Sequence, residues 1–272
     1  MKAASVVLKN DEYKELKSYE RLMGKLEEWL EACSASGVSV VVFPALLGCF
    51  FDDWEGYIDD VAVMSRKHKG MAICPGSWHE RSTGETWHTS CLILEGQVVL
   101  RQRQIYLAKW EKELGLSRGG ELESFFFGGM KLGLLVSTDI FYPQVSRALA
   151  LSGVELVLAP AAVSGGREGI GQLAGLWQNV QSNLFFGVES GFKGCFRGKE
   201  FFSASMLHGP LEMTEKGDGI LGTEASGERP IVAADMDNVK RKAAVKRFNT
   251  LAQLNPEAYR GMFGGHPERR SP

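Results

Sequence analysis

The spacing of apolar residues changes period along the chain, and each change marks an element. Ala4–Leu8 is a short apolar run that reads as a strand. From Glu12 to Ser36 the apolar positions are Leu16, Tyr19, Leu22, Met23, Leu26 and Leu30, the three-and-four spacing of one helix face, and Gly37 stops the run. Val38–Phe43 is continuous and mostly β-branched, as a strand buried on both faces would be. A helix is predicted over Trp54–Lys69 and a strand over Met71–Trp78. Thr86–Leu94 and Gln97–Arg103 form a hairpin turned at Glu95-Gly96, and Glu123–Phe127 with Lys131–Val136 form another around Gly128-Gly129. Between them Gln104–Glu123 is a long connection, a feature often functional in compact domains. Helix Pro143–Ser152, strand Val154–Leu158, helix Gly169–Ser182 and strand Leu184–Glu189 follow. Strands Ser203–Leu207 and Ile231–Asp235 and a helix near Asn238–Arg247 complete the series. Strands alternating with helices throughout predict a layered α/β domain. No repeat, low-complexity segment or linker divides it.

Composition narrows the function classes. The 272 residues fit one large α/β domain, with a short tail from about residue 260. A net charge of −2 and a pI near 6.3 give no pull toward nucleic acid or anionic membrane, and Arg269-Arg270 reads as a solvated end. The first apolar run is too short for a secretory signal, and none reaches transmembrane length. Five scattered cysteines, Cys33, Cys49, Cys74, Cys91 and Cys195, argue for reduced thiols in the cytoplasm and against a disulfide framework or zinc site. His79, His88 and His208 lack metal-ligand spacing, and Gly165–Gly171 lacks the lysine of a phosphate loop, so no cofactor is expected.

The chemistry lies in an ordered set of motifs. Gly133–Pro160 carries a strand, a turn at Ser137-Thr138-Asp139, then Pro143, Ser146-Arg147-Ala148-Leu149, Gly153 and a second strand closed by Ala159-Pro160. Around it stand Val40-Val41-Val42-Phe43-Pro44-Ala45, Gln104-Ile105-Tyr106-Leu107, Trp110-Glu111, Asn179-Val180-Gln181-Ser182-Asn183, Ser205-Met206-Leu207-His208-Gly209-Pro210 and Pro256-Glu257-Ala258-Tyr259. From Val6 to Tyr259 this order resembles the nitrilase superfamily of carbon–nitrogen hydrolases. The resemblance implies a four-layer α-β-β-α sandwich and pairing into a homodimer or higher homo-oligomer across the helix layer. It also implies a pocket for a small amide-like ligand. In that family a cysteine in Cys-x-Asp attacks the substrate, a glutamate closes the "vvfPE" strand, and a lysine opens "K-x-H-L". By that match the three positions here read Ser137, Ala45 and Gln104. Thr138, Asp139, Tyr106, Glu111 and Cys195 are the further pocket candidates.

A thiol is readily activated by an adjacent carboxylate, whereas a serine hydroxyl needs a stronger base, and Ala45 offers none. Gln104 can donate a neutral hydrogen bond but brings no positive charge. A lysine without its glutamate would be a buried unpaired charge costing about 3–5 kcal/mol, so the substitutions make sense together. Ser137 reads first as a small residue at a tight junction, Asp139 as a cap for the helix near Pro143, and Arg147 as a partner for a carboxylate. Glu111 either enters the pocket, as the Trp-Glu match implies, or is a solvated charge, with Glu113 as the alternative match. Trp54 and Trp177 read as packing residues. Cys49 and Cys195 read as apolar fillers. Two functions follow. One is a catalytically silent homologue with a ligand pocket or a scaffold role. The other is an amidohydrolase using Ser137 or a relocated Cys195 with Glu111 as base.

Overall fold

The computed structural model describes residues 1–8, 18–50, 53–164, 173–224 and 230–258. The start of the Glu12–Ser36 helix, Gly165–Gly171, the first residues of Gly169–Ser182, Tyr259 and Arg269-Arg270 lie outside them. Two sheets stack face to face. The first contains β1 (Lys2–Val6), β2 (Val40–Val42), β3 (Ala72–Cys74), β4 (Ser77–Ser82), β5 (Glu85–Leu94), β6 (Gln97–Arg103) and β15 (Ile231–Asp235). Its order is β15-β1-β2-β3-β5-β4, with β6 also on β5. The second runs β14-β13-β10-β9-β8-β7, built from β7 (Ser124–Phe127), β8 (Met130–Leu134), β9 (Leu156–Ala161), β10 (Phe186–Gly191), β13 (Met206–His208) and β14 (Ile220–Thr223). A separate hairpin joins β11 (Lys193–Phe196) to β12 (Lys199–Phe202).

Three apolar cores separate four layers. Helices α1 (Tyr19–Ala35) and α2 (Trp54–Ser65) bury Leu22, Leu26, Leu30, Tyr57 and Val61 against Val41, Ile73 and Ile93 of the first sheet. The middle core interdigitates Val40, Val42, Ala72 and Leu92 with Leu132, Leu134, Leu156, Val188 and Leu207. The third packs Val145, Leu149 and Val180, from α4 (Pro143–Leu151) and α5 (Gln178–Asn183), on Leu135, Val157 and Ala159. This is the α-β-β-α sandwich expected. A short α3 (Lys109–Glu113) and a terminal α6 (Asn238–Phe248) complete the set among the described residues. None of the described helices is long and apolar enough to cross a membrane.

Several boundaries moved, for identifiable reasons. The strand expected over Met71–Trp78 breaks at Pro75-Gly76. Gly76 has φ +86°, and a Cβ there would stand 2.2 Å from the Pro44 carbonyl oxygen, so only glycine lets the chain cross the end of β2. The strand expected over Val154–Leu158 runs instead from Leu156 through Pro160 to Ala161. Proline is tolerated there because β8 pairs with β9 only as far as Leu158, leaving no ladder bond for the missing N–H. The Gly169–Ser182 helix resolves into a wide turn, Leu173–Trp177, with Gly175 out of helical geometry, followed by α5. The long connection after β6 contains α3, and β4, β11, β12 and β14 were not anticipated.

Candidate functional site

The site forms at the end of the middle core, where β2, β6 and β8 each deliver a loop. After β8 the chain turns into a 3-10 segment, Ser137–Phe141, and Ser137 adopts a left-handed φ of 52°. A non-glycine residue in that conformation is uncommon. Its hydroxyl is buried and donates to the Ala162 carbonyl at 3.3 Å. Ala162 and Ala45 belong to one buried apolar cluster. Gln104, at the end of β6, is fully buried. Its Nε2 lies 2.9 Å from each of three acceptors: Glu111 Oε2, Thr138 Oγ1 and the Tyr106 carbonyl. Thr138 Oγ1 in turn donates to that carbonyl at 3.0 Å. The three positions singled out in the sequence therefore come together, joined through Thr138 and Ala162.

Two buried carboxylates hold the loop after Gln104. Asp139 accepts from Ile105 N at 3.0 Å and from Tyr106 N at 2.8 Å. It does not cap α4, which follows Tyr142 with no side-chain cap. Burial raises the Asp139 carboxyl, the Ile105 and Tyr106 amides lower it and the nearby Glu111 charge raises it, leaving it at about 7. The Tyr106 ring stacks on Tyr142 at 4.0 Å, so its backbone, not its phenol, meets the site. Glu111 is fully buried; Glu113 is exposed beside Lys109. Glu111 Oε2 also accepts from Ala108 N at 2.6 Å, at the start of its own helix.

His88 and Ser77 extend this network, and the motif comparison gave no sign of either. His88 Nδ1 lies 2.8 Å from Glu111 Oε1, and His88 Nε2 lies 2.7 Å from Ser77 Oγ. Leu46 N donates to the same hydroxyl at 2.8 Å. A signal was present in β5. His88 and Ser90 alternate with Trp87 and Thr89 on the opposite face, and share the face on which Leu92 enters the middle core. Two polar residues on a core-facing stripe need buried partners.

An aromatic cluster packs beside the site. Trp110, Phe192, Phe196 and Phe201 pack with Ala45, Leu46 and Ala162. Trp110 and Phe201 meet edge to face at 5.4 Å, and Phe192 and Phe201 at 5.5 Å. Phe196 lies 5.7 Å from the His79 ring, which is 5.5 Å from His88. Burial lowers the His79 imidazole to about 3, so the ring is neutral. Among the described residues, three buried polar atoms around this site have no hydrogen-bond partner: Gln104 Oε1, Trp110 Nε1 and His79 Nε2.

The structure separates other candidates from the site. Cys195 is exposed on β11 opposite Glu200, while its neighbour Phe196 points inward, so strand alternation turns this thiol away from Glu111. Cys49 flanks the aromatic cluster, but burial pushes its thiol up to about 12. Arg147 donates to the Ser182 carbonyl at 3.1 Å and meets no carboxylate among the described residues. Trp54 stacks on Trp78 at 5.8 Å, and Trp177 donates to the Asp218 carbonyl at 2.7 Å. Among the described residues no cluster of His, Cys, Asp or Glu is placed to hold a metal ion.

Known proteins share the family and the fold. The family model for carbon-nitrogen hydrolases matches residues 2–210. An (R)-stereoselective amidase from Pseudomonas sp. is 27% identical over 223 residues, 77% of each chain. An amidase from Nesterenkonia sp. superposes with a TM-score of 0.77 at 19% identity, covering 97% of this chain and 96% of the other. A cysteine-to-alanine mutant of the Nesterenkonia sp. AN1 amidase, in complex with butyramide, superposes with a TM-score of 0.76 at 18% identity over 96% of both chains. At such identities these structures establish the likeness of fold.

Proposed function

Because this chain belongs to the carbon-nitrogen hydrolase family, we propose that it is a member that no longer performs the family's acyl transfer and keeps the site as a closed pocket for a small neutral ligand. The observation that carries the reading is the environment of Ser137. Its hydroxyl is spent on a backbone carbonyl at 3.3 Å, and Ala45 supplies no carboxylate to ionise it. A serine without a base in hydrogen-bond reach is a poor nucleophile. Gln104 stands where the resemblance puts a lysine, and its amide is engaged by Glu111 and Thr138. Removing a single oxyanion donor costs on the order of 100- to 1,000-fold, and here nucleophile, base and cation are all replaced.

The unpartnered Gln104 Oε1 and Trp110 Nε1 suit one donor and one acceptor on a ligand whose remainder is apolar. Butyramide, which the mutant Nesterenkonia amidase holds, has that form. We place the protein in the cytoplasm on its scattered free cysteines, as a single domain that pairs with itself. Incubation with butyramide tests the reading. Ammonia release at the uncatalysed rate, together with a raised melting temperature, is the expected outcome. Sustained hydrolysis abolished by Ser137→Ala would refute it.

A further inference from the structure

Ser77, His88 and Glu111 form a hydrogen-bonded series that the Ser137 chemistry does not use. The spacings are 2.7 Å from Ser77 Oγ to His88 Nε2 and 2.8 Å from His88 Nδ1 to Glu111 Oε1. The surrounding bonds favour one direction for the protons. Leu46 N–H already donates to Ser77 Oγ, so the hydroxyl hydrogen is free to point at His88. Glu111 Oε2 collects donors from Ala108 N and Gln104 Nε2; with Glu111 as a carboxylate, its Oε1 can only accept, which puts the proton on His88 Nδ1 and leaves Nε2 bare. A hydroxyl facing an unprotonated imidazole nitrogen, with a carboxylate orienting the ring, is the geometry of an activated serine nucleophile. Structural hydroxyl-to-imidazole contacts are common in cores. Here the series borders the aromatic cluster, next to a His79 nitrogen with no partner among the described residues.

We propose that Ser77, His88 and Glu111 constitute a second nucleophile system, independent of Ser137, for short uncharged acyl esters. Ser77 Oγ would bond to the ester carbonyl carbon as its hydroxyl proton passes to His88 Nε2. Collapse of the tetrahedral adduct breaks the bond to the leaving alcohol, which departs with that proton. Water, deprotonated by His88, then cleaves the acyl-serine and restores the hydroxyl. Leu46 N–H is bonded to Ser77 Oγ and so is not free for the developing oxyanion. Ester rather than amide follows from that sparse oxyanion support, since an alcohol leaves more readily than an amine. The uncharged acyl group follows from the walls of Ala45, Leu46, Trp110 and Phe196. Ser77 is fully buried, so access requires the aromatic cluster on the β11–β12 hairpin to move aside.

The test is labelling with a fluorophosphonate, followed by peptide mass spectrometry to locate the adduct. The wild-type chain and Phe196→Ala, which thins the aromatic cover, are labelled in parallel. The expected result is phosphonylation of Ser77, faster in Phe196→Ala, absent in Ser77→Ala and at least about 100-fold slower in His88→Asn. If neither chain is labelled at Ser77, or if labelling ignores His88→Asn, the inference is overturned. Should Phe196→Ala fail to fold, the wild-type result decides alone. An adduct on Ser137 instead would overturn both this inference and the silent reading of Ser137, whereas absence at both serines would overturn only this one.

Discussion

Ser137 has a left-handed backbone at the end of a central strand, and its hydroxyl donates to the Ala162 carbonyl; under the proposed function it is a residue that no longer attacks. Ser137→Cys alone is therefore expected to give no amide turnover. The thiol would still lack a carboxylate at Ala45 and a cation at Gln104, and groups that act as one catalytic unit are strongly non-additive. The triple variant Ser137→Cys, Ala45→Glu, Gln104→Lys is the one in which butyramide hydrolysis should appear, read as ammonia release. Asp139 gives a separate, pH-dependent prediction. Its folded carboxyl titrates near 7, above the ordinary carboxylate range, because it is buried. The folded state thus holds a proton that the unfolded chain releases at lower pH. The resulting stabilisation is fully present below about pH 4 and is lost as pH rises through about 7. Melting temperatures measured across that window should fall with pH for the wild type, and this component of the slope should vanish in Asp139→Asn.

The β11–β12 hairpin pairs with neither large sheet, and Phe196 and Phe201 hold its inner side against Trp110 and Phe192. Phe201→Ala should cost about 3–5 kcal/mol in denaturant unfolding if the cavity does not collapse. Amide exchange should quicken first in Lys193–Phe202, because a two-stranded ribbon depends on what it packs against. This hairpin also marks the limit of sequence reading. Long periodic elements such as α1, and the hairpin turned at Glu95-Gly96, were legible because one face meets one core. The Lys193–Phe202 segment carries apolar residues that face the end of the sandwich, so no period announces it. Ala45, Gln104 and Ser137 were found by motif order. His88 and Ser77 were missed because their meaning lies in a contact 11 residues apart across β4 and β5, with Leu46 and Glu111 arriving from elsewhere. Cys195 was misread as an apolar filler because nothing in the sequence announced the strand β11 that turns its thiol outward.

The whole sandwich was more legible than its site, since four layers follow from alternating element types while the site depends on individual side chains. Self-association belongs to this scale. The helix layer over the second sheet exposes Leu151 at 60% of its surface. Sedimentation is expected to show a dimer, and Leu151→Glu a monomer of unchanged circular dichroism; a monomeric wild type would remove the pairing proposal. The two sheets are also joined by hydroxyls, with Ser5 Oγ donating to the Glu189 carbonyl at 2.9 Å and Ser190 and Ser205 donating to the Val6 carbonyl at 2.9 and 3.2 Å. Each of these stitches ties β1 to residues more than 180 positions later. The outer edge of β1 is sealed by β15, in a register that sets Lys2 opposite Asp235. During synthesis, then, the strand that leaves the ribosome early must wait for one of the last. Until residues 231–235 emerge, β1 presents an open edge, and both sheets remain unfastened at that seam. A nascent chain stalled before Ile231 should accordingly be captured by strand-binding chaperones, and release of the full chain should end that capture.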